Sequence, residues 1–140
     1  MSTTYAKGFT LAAALLLLFS LGACGAQEAV EPVTTLTEEQ VTAIAENMLQ
    51  AYNSGDYAAF ERDLAPAGQL LLTEQAFTEL RDELMATAGE FQSIGSVEAV
   101  PGGSEGHSQW QITAQFLNTT ETVTLTFDDE TNRVEGLEFE

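Results

Sequence analysis

The chain reads as an α+β domain, with three N-terminal helices packed on a four-stranded antiparallel sheet. Three observations predict this. Apolar residues recur at helical spacing from Val41 to Ala88, then alternate with polar ones from about Phe91 onward. Helix-capping residues stand at Thr37, Asp56 and Thr73, each just ahead of a helical pattern. The alternating runs are joined by segments short enough for hairpins, which excludes parallel crossovers. Helices followed by a meander place the helices over one face of the sheet.

The first helix begins after Thr37-Glu38-Glu39-Gln40, a capping box in which threonine and glutamine satisfy each other's orphan backbone donors. Its two acidic residues suit the positive end of the helix dipole. Val41, Ile44, Ala45, Met48, Ala51 and Tyr52 form one apolar face, and Asn53-Ser54-Gly55 ends it. Asp56 caps a shorter helix with Tyr57, Phe60 and Leu64, closed by Pro66 and Gly68. Leu70-Leu71-Leu72 is an apolar run too short to assign. Thr73 opens a third helix carrying Phe77, Leu80, Leu84, Met85 and Ala88, ended by Gly89, with Arg81 expected on its solvated face.

The strands are expected at Phe91 to Val100 (irregular near Gly95), His107 to Phe116, Thr122 to Phe127 and Val134 to Glu140, with a bulge at Gly136. Trp110, Ile112, Ala114, Phe116, Val123, Leu125, Phe127, Leu137 and Phe139 should face the helices. Gln109, Gln111, Thr113 and Gln115 should face out, beside Thr122, Thr124 and Thr126.

The charge balance narrows function. Of 140 residues, 22 are acidic and 4 basic, a formal charge of −18. Such a surface repels phosphate backbones, which excludes nucleic-acid binding, and it also repels anionic headgroups. An acidic, lysine-poor composition fits either a saline habitat or an ordinary soluble acidic surface.

The N-terminus carries an address. Lys7 precedes an apolar run from Phe9 to Leu21, 13 residues, short for a bilayer span but long enough for a signal-peptide core. Leu21-Gly22-Ala23-Cys24 ends it, and Cys24 is the one cysteine in the chain. This resembles the bacterial lipoprotein signal class, in which the thiol is alkylated with diacylglycerol and the chain is cut so that cysteine becomes the first residue. Two other fates fit the same run: cleavage by an ordinary signal peptidase near Gly22 to Ala26, or retention as an uncleaved anchor. The lipoprotein reading divides the chain into a signal peptide (1–23), a flexible tether (24–36) and a folded domain (37–140). It implies a lipid-anchored protein facing the extracytoplasmic side of a bacterial membrane. One acyl chain anchors only marginally, so the two or three chains of a mature lipoprotein would be needed.

Asn53-Ser54-Gly55-Asp56-Tyr57 followed by Phe60 resembles the helix-turn-helix corner of the nuclear transport factor 2-like (cystatin-like) superfamily. Phe77, Leu80, Gly89-Glu90-Phe91 and Phe127-Asp128 extend the likeness in the same order. The closest resemblance is to the small extracytoplasmic family called domain of unknown function 3887. It implies a cone-shaped fold whose curved sheet wraps the helices and can enclose a pocket. Superfamily relatives include isomerases and hydrolases, and many binding, dimerising or accessory domains.

Chemistry-bearing motifs are sparse. Gly102-Gly103-Ser104-Glu105-Gly106 matches Gly-x-Ser-x-Gly, but it precedes a strand, whereas a nucleophile elbow joins a strand to a helix. Asp128 to Asn132 resembles a calcium loop, yet Arg133 and Phe139 stand where that loop needs glycine and glutamate. One histidine, His107, expected at a half-exposed strand edge, and one acylated cysteine leave zinc or iron without protein ligands. Tyr52, Phe60, Phe77, Trp110 and Phe116 are the candidate lining of an apolar pocket, or simply core. No candidate base is placed on the inner face, although Glu135 could reach it. No catalytic residue, metal or cofactor is therefore expected. The leading expectation is a lipid-anchored, non-catalytic domain that binds a ligand, a protein or a second copy of itself. The uncharged row Gln109, Gln111, Thr113, Gln115, Thr122, Thr124 and Thr126 is the candidate interface. The alternative is a small enzyme using the cone pocket for proton transfer or hydrolysis on an apolar ligand.

Overall fold

The computed structural model describes residues 34–140. The proposed signal peptide, Leu21, Gly22, Ala23 and Cys24, and most of the expected tether lie outside the described residues.

Helix α1 spans Glu38–Ser54, and the capping box at Thr37 and Gln40 is formed as the sequence predicts. Its C-terminus stops at Gly55, whose φ of 70° is a left-handed conformation that residues with a β-carbon seldom adopt. Arg81 finishes this end, donating from Nε to the Tyr52 carbonyl at 2.9 Å and from Nη2 to the Asn53 carbonyl. The expectation of a solvated Arg81 is thus corrected. Unpaired carbonyls at a helix C-terminus attract a cation, and the long side chain reaches them.

Helix α2, Tyr57–Glu61, is a single turn capped by Asp56. It ends well before Pro66, and Pro66 instead opens a further helix, α3, Pro66–Leu71. Proline suits the first helical position because it has no N–H to leave unpaired and its φ is already helical. Among the described residues there are therefore four helices ahead of the sheet rather than three. Helix α4, Glu74–Thr87, is capped by Thr73 as expected and buries Phe77 and Leu84.

Strands β1 (Phe91–Val100), β2 (His107–Phe116), β3 (Thr120–Asp128) and β4 (Arg133–Phe139) form one antiparallel meander in the order β1-β2-β3-β4. The architecture is the predicted α+β one. Register shifts fall between Ile94 and Val97, around Gly95, and at Glu135, where Phe127 pairs with Val134 but Thr126 with Gly136. Such bulges bend and twist a strand, and they redirect the extra side chain.

The core lies between the helices and the inner face of the sheet. Leu64, Ile112, Leu125, Phe127, Val41, Val123 and Val134 are fully enclosed there. Two ties across the chain lock helices to strands. The Asn53 carboxamide pairs with both backbone groups of Phe91, each at 2.8 Å. Leu64 forms a parallel bridge with Val134 beside the start of α3. Among the described residues, no helix is long and apolar enough to cross a membrane.

Candidate functional site

The helix-facing side of the sheet is nearly full. An apolar cavity of about 10 Å³ remains, room for one water at most. Tyr52, Phe60 and Phe77 line it, with Met48, Leu80, Leu125 and others. Trp110 and Phe116 lie elsewhere in the core; Phe116 packs edge-on against Tyr52, Phe91 and Phe139. The cavity wall includes no carboxylate and no histidine. Its one ionisable side chain, Tyr52, donates its hydroxyl to the Gly89 carbonyl at 2.9 Å, and burial pushes the phenol pKa up. A neutral phenol already committed to a backbone carbonyl holds the end of α4 and the start of β1.

The other face of the sheet is open. Strict alternation in β2 and β3, with unbroken register between them, turns Gln109, Gln111, Thr113 and Gln115 outward beside Thr126, Thr124, Thr122 and Thr120. Gln111 lies directly opposite Thr124, flanked by Glu98 on β1 and Glu138 on β4. The uncharged surface is therefore a stripe along the two central strands with acidic edges. Its side chains hold one another: Ser96 Oγ to Thr113 Oγ1 at 3.0 Å, Thr120 Oγ1 to Gln115 Oε1 at 2.8 Å, and Gln109 Nε2 to Thr126 Oγ1 at 3.4 Å. Groups restrained in this way lose little further rotamer freedom when something binds.

At one end of the stripe stands a cluster that the sequence did not assemble. His107 begins β2, a central strand rather than an edge, and remains half-buried. Glu135, the extra residue of the β4 bulge, faces the outer side and not the interior, and its Oε2 accepts a hydrogen bond from His107 Nε2 at 2.8 Å. Nδ1 lies 3.1 Å from both Ser104 Oγ and the Glu105 carbonyl. The order hydroxyl, imidazole, carboxylate is that of a hydrolytic triad. The carbonyl changes its meaning: it only accepts, so it favours a proton on Nδ1 and denies Ser104 a base. The Glu105 carbonyl is also the main reason that the His107 pKa is raised, with Glu135 and Asp128 adding to it. The cluster works as a latch tying the 101–106 loop to β4.

Asp128, the last residue of β3, accepts from the backbone N–H groups of Thr131 and Glu130 in the following turn, which hold its carboxyl below the usual range. It caps a turn; among the described residues, no group of three or more histidine, cysteine or acidic side chains is placed to hold a metal. Ser108 Oγ and Trp110 Nε1 are buried on the inner side of β2 without a hydrogen-bond partner among the described residues.

No protein-family model and no curated protein matches the chain.

Proposed function

We propose that this chain is a lipid-anchored bacterial lipoprotein whose folded domain works by protein–protein contact on the extracytoplasmic side of a membrane. The domain is read as a nuclear transport factor 2-like cone akin to domain of unknown function 3887, on the strength of the Asn53-to-Tyr57 corner and the α+β architecture. The observation that carries the contact reading is the Gln/Thr stripe. It is an uncharged, internally hydrogen-bonded surface on a chain with 22 acidic residues. Interfaces are depleted in charge at their centres and keep charge at the rim, which is the pattern of Gln111 and Thr124 between Glu98 and Glu138. The filled interior favours contact over pocket chemistry, since a cavity of about 10 Å³ admits no organic ligand.

The test joins Gln111→Glu with Thr124→Glu, which sets two charges opposite each other in the middle of the stripe. Sedimentation of the detergent-solubilised protein should show a complex, either a dimer or a partner-bound form, that the double variant loses. An unchanged mass distribution counts against the proposal. The anchor has its own test. Cys24→Ser should release the domain or leave an unprocessed precursor, and membrane retention of a fully cleaved variant refutes the lipid role.

A second reading rests on the Ser104–His107–Glu135 chain, which would serve ester hydrolysis if Ser104 gave its proton to Nδ1. Turnover of a nitrophenyl ester that Ser104→Ala abolishes would favour it over the latch.

A further inference from the structure

Helix α3 is inside out. Gly68 faces β4 so closely that a β-carbon there would lie 2.5 Å from the Val134 carbonyl oxygen. The Ala65 N–H donates to that same carbonyl at 2.7 Å. With its smallest residue turned in, the helix turns out Pro66, Ala67, Leu70 and Leu71, and the two leucines are 81% and 71% exposed. No charged residue occurs from Leu64 to Thr73. An ordinary surface helix presents the opposite pattern, apolar inward and charged outward.

A second observation places the N-terminal tether near this face. Thr35, at the start of the described chain, donates its hydroxyl to Asn132 Oδ1 at 2.7 Å. Asn132 lies in the β3–β4 turn, two residues ahead of Val134, on which α3 is seated. The N-terminal tether therefore enters the domain beside α3. The segment from Cys24 to Thr34 reaches at most about 35 Å when extended, so an anchor at Cys24 confines α3 to a shell of about that depth at the bilayer. Leu117, the other exposed large apolar residue among the described ones, sits in the β2–β3 turn at the far end of β3, about 30 Å away. Two leucines alone would bind a bilayer negligibly. Held by a tether, they meet it at a high effective concentration.

We infer that α3 is a membrane-contacting foot: Pro66, Ala67, Leu70 and Leu71 rest in the interface of the bilayer that holds the Cys24 lipid, and the Leu117 end points away. This rests on the lipid-anchor reading above. It also eases the contact with the acidic surface, because the residues placed against the headgroups, Pro66, Ala67, Leu70 and Leu71, carry no charge.

The experiment uses the full acylated chain in phosphatidylcholine vesicles, with Leu71→Cys or Leu117→Cys carrying an environment-sensitive fluorophore; acylation leaves Cys24 unlabelled. With bromine on the lipid acyl chains, the label at position 71 should lose at least about half its emission, and the label at 117 none. Equal losses at the two positions overturn the foot. So does protection of position 71 from acrylamide without quenching by bromine, which would mean that a second copy covers α3. Mass spectrometry of the same sample separates the two levels: an acylated Cys24 with an unquenched position 71 refutes the foot alone, whereas a bare thiol and loss from the vesicles refute the anchor.

Discussion

The Asn53 side chain meets Phe91 as a neighbouring strand would, one bond given and one received, each at 2.8 Å. Asn53→Ala strands both backbone groups where the chain leaves α4 for the sheet, and should destabilise the domain by about 1–3 kcal/mol in urea unfolding. Ser108 predicts the opposite sign. Its hydroxyl is buried without a partner among the described residues, so Ser108→Ala should leave stability unchanged or raise it by about 1 kcal/mol. His107 adds a pH dependence. Its pKa is raised above 6.5, so its stabilisation is complete below that value and is lost as pH rises through the folded pKa. The difference in melting temperature between wild type and His107→Gln should therefore be largest near pH 5.5 and shrink toward pH 9. Asp128 runs the other way: its pKa is lowered from 3.8, so its contribution holds above that value and fades as pH falls through the folded one. Of these residues, Asn53 was visible in a sequence motif. The Glu135 partnership was not, because it depends on a bulge that turns one side chain across β3 toward β2.

Among the elements, those set by local chemistry were legible. Thr37, Asp56 and Thr73 cap the helices that their positions announce, and the Gln/Thr alternation of β2 survives as an open face. Helix α3 was not legible. Its leucines suggest burial, yet its docking depends on Gly68 lying against a backbone carbonyl of β4, a contact that no local pattern encodes. Gly68→Ala must push α3 off β4 or displace the Val134 carbonyl, and should cost about 1–3 kcal/mol, read as a lower denaturant midpoint. Leu70→Gln should cost less than about 0.5 kcal/mol in the same measurement, because that side chain touches little of the domain.

At the scale of the whole molecule, charge dominates. The formal charge is −18 with Lys7 present, and cleavage after Ala23 would make it −19. Self-repulsion of that size weakens a folded domain until salt screens it. Thermal melts should therefore rise as NaCl approaches about 1 M, where the Debye length is near 3 Å. A melting temperature indifferent to salt would show that the acidic groups are spaced too widely to matter. The seating of α3 has a further consequence, in the order of assembly. The residues that receive it, Val134 and Glu135, belong to β4, which follows the other described strands in a chain made from its N-terminus. Strands β1 to β3 pair as successive hairpins without β4, but α3 has no seat until β4 is in place. A chain truncated before Arg133 would therefore display Leu70 and Leu71 on an undocked segment, open to proteolysis where the full-length domain is not.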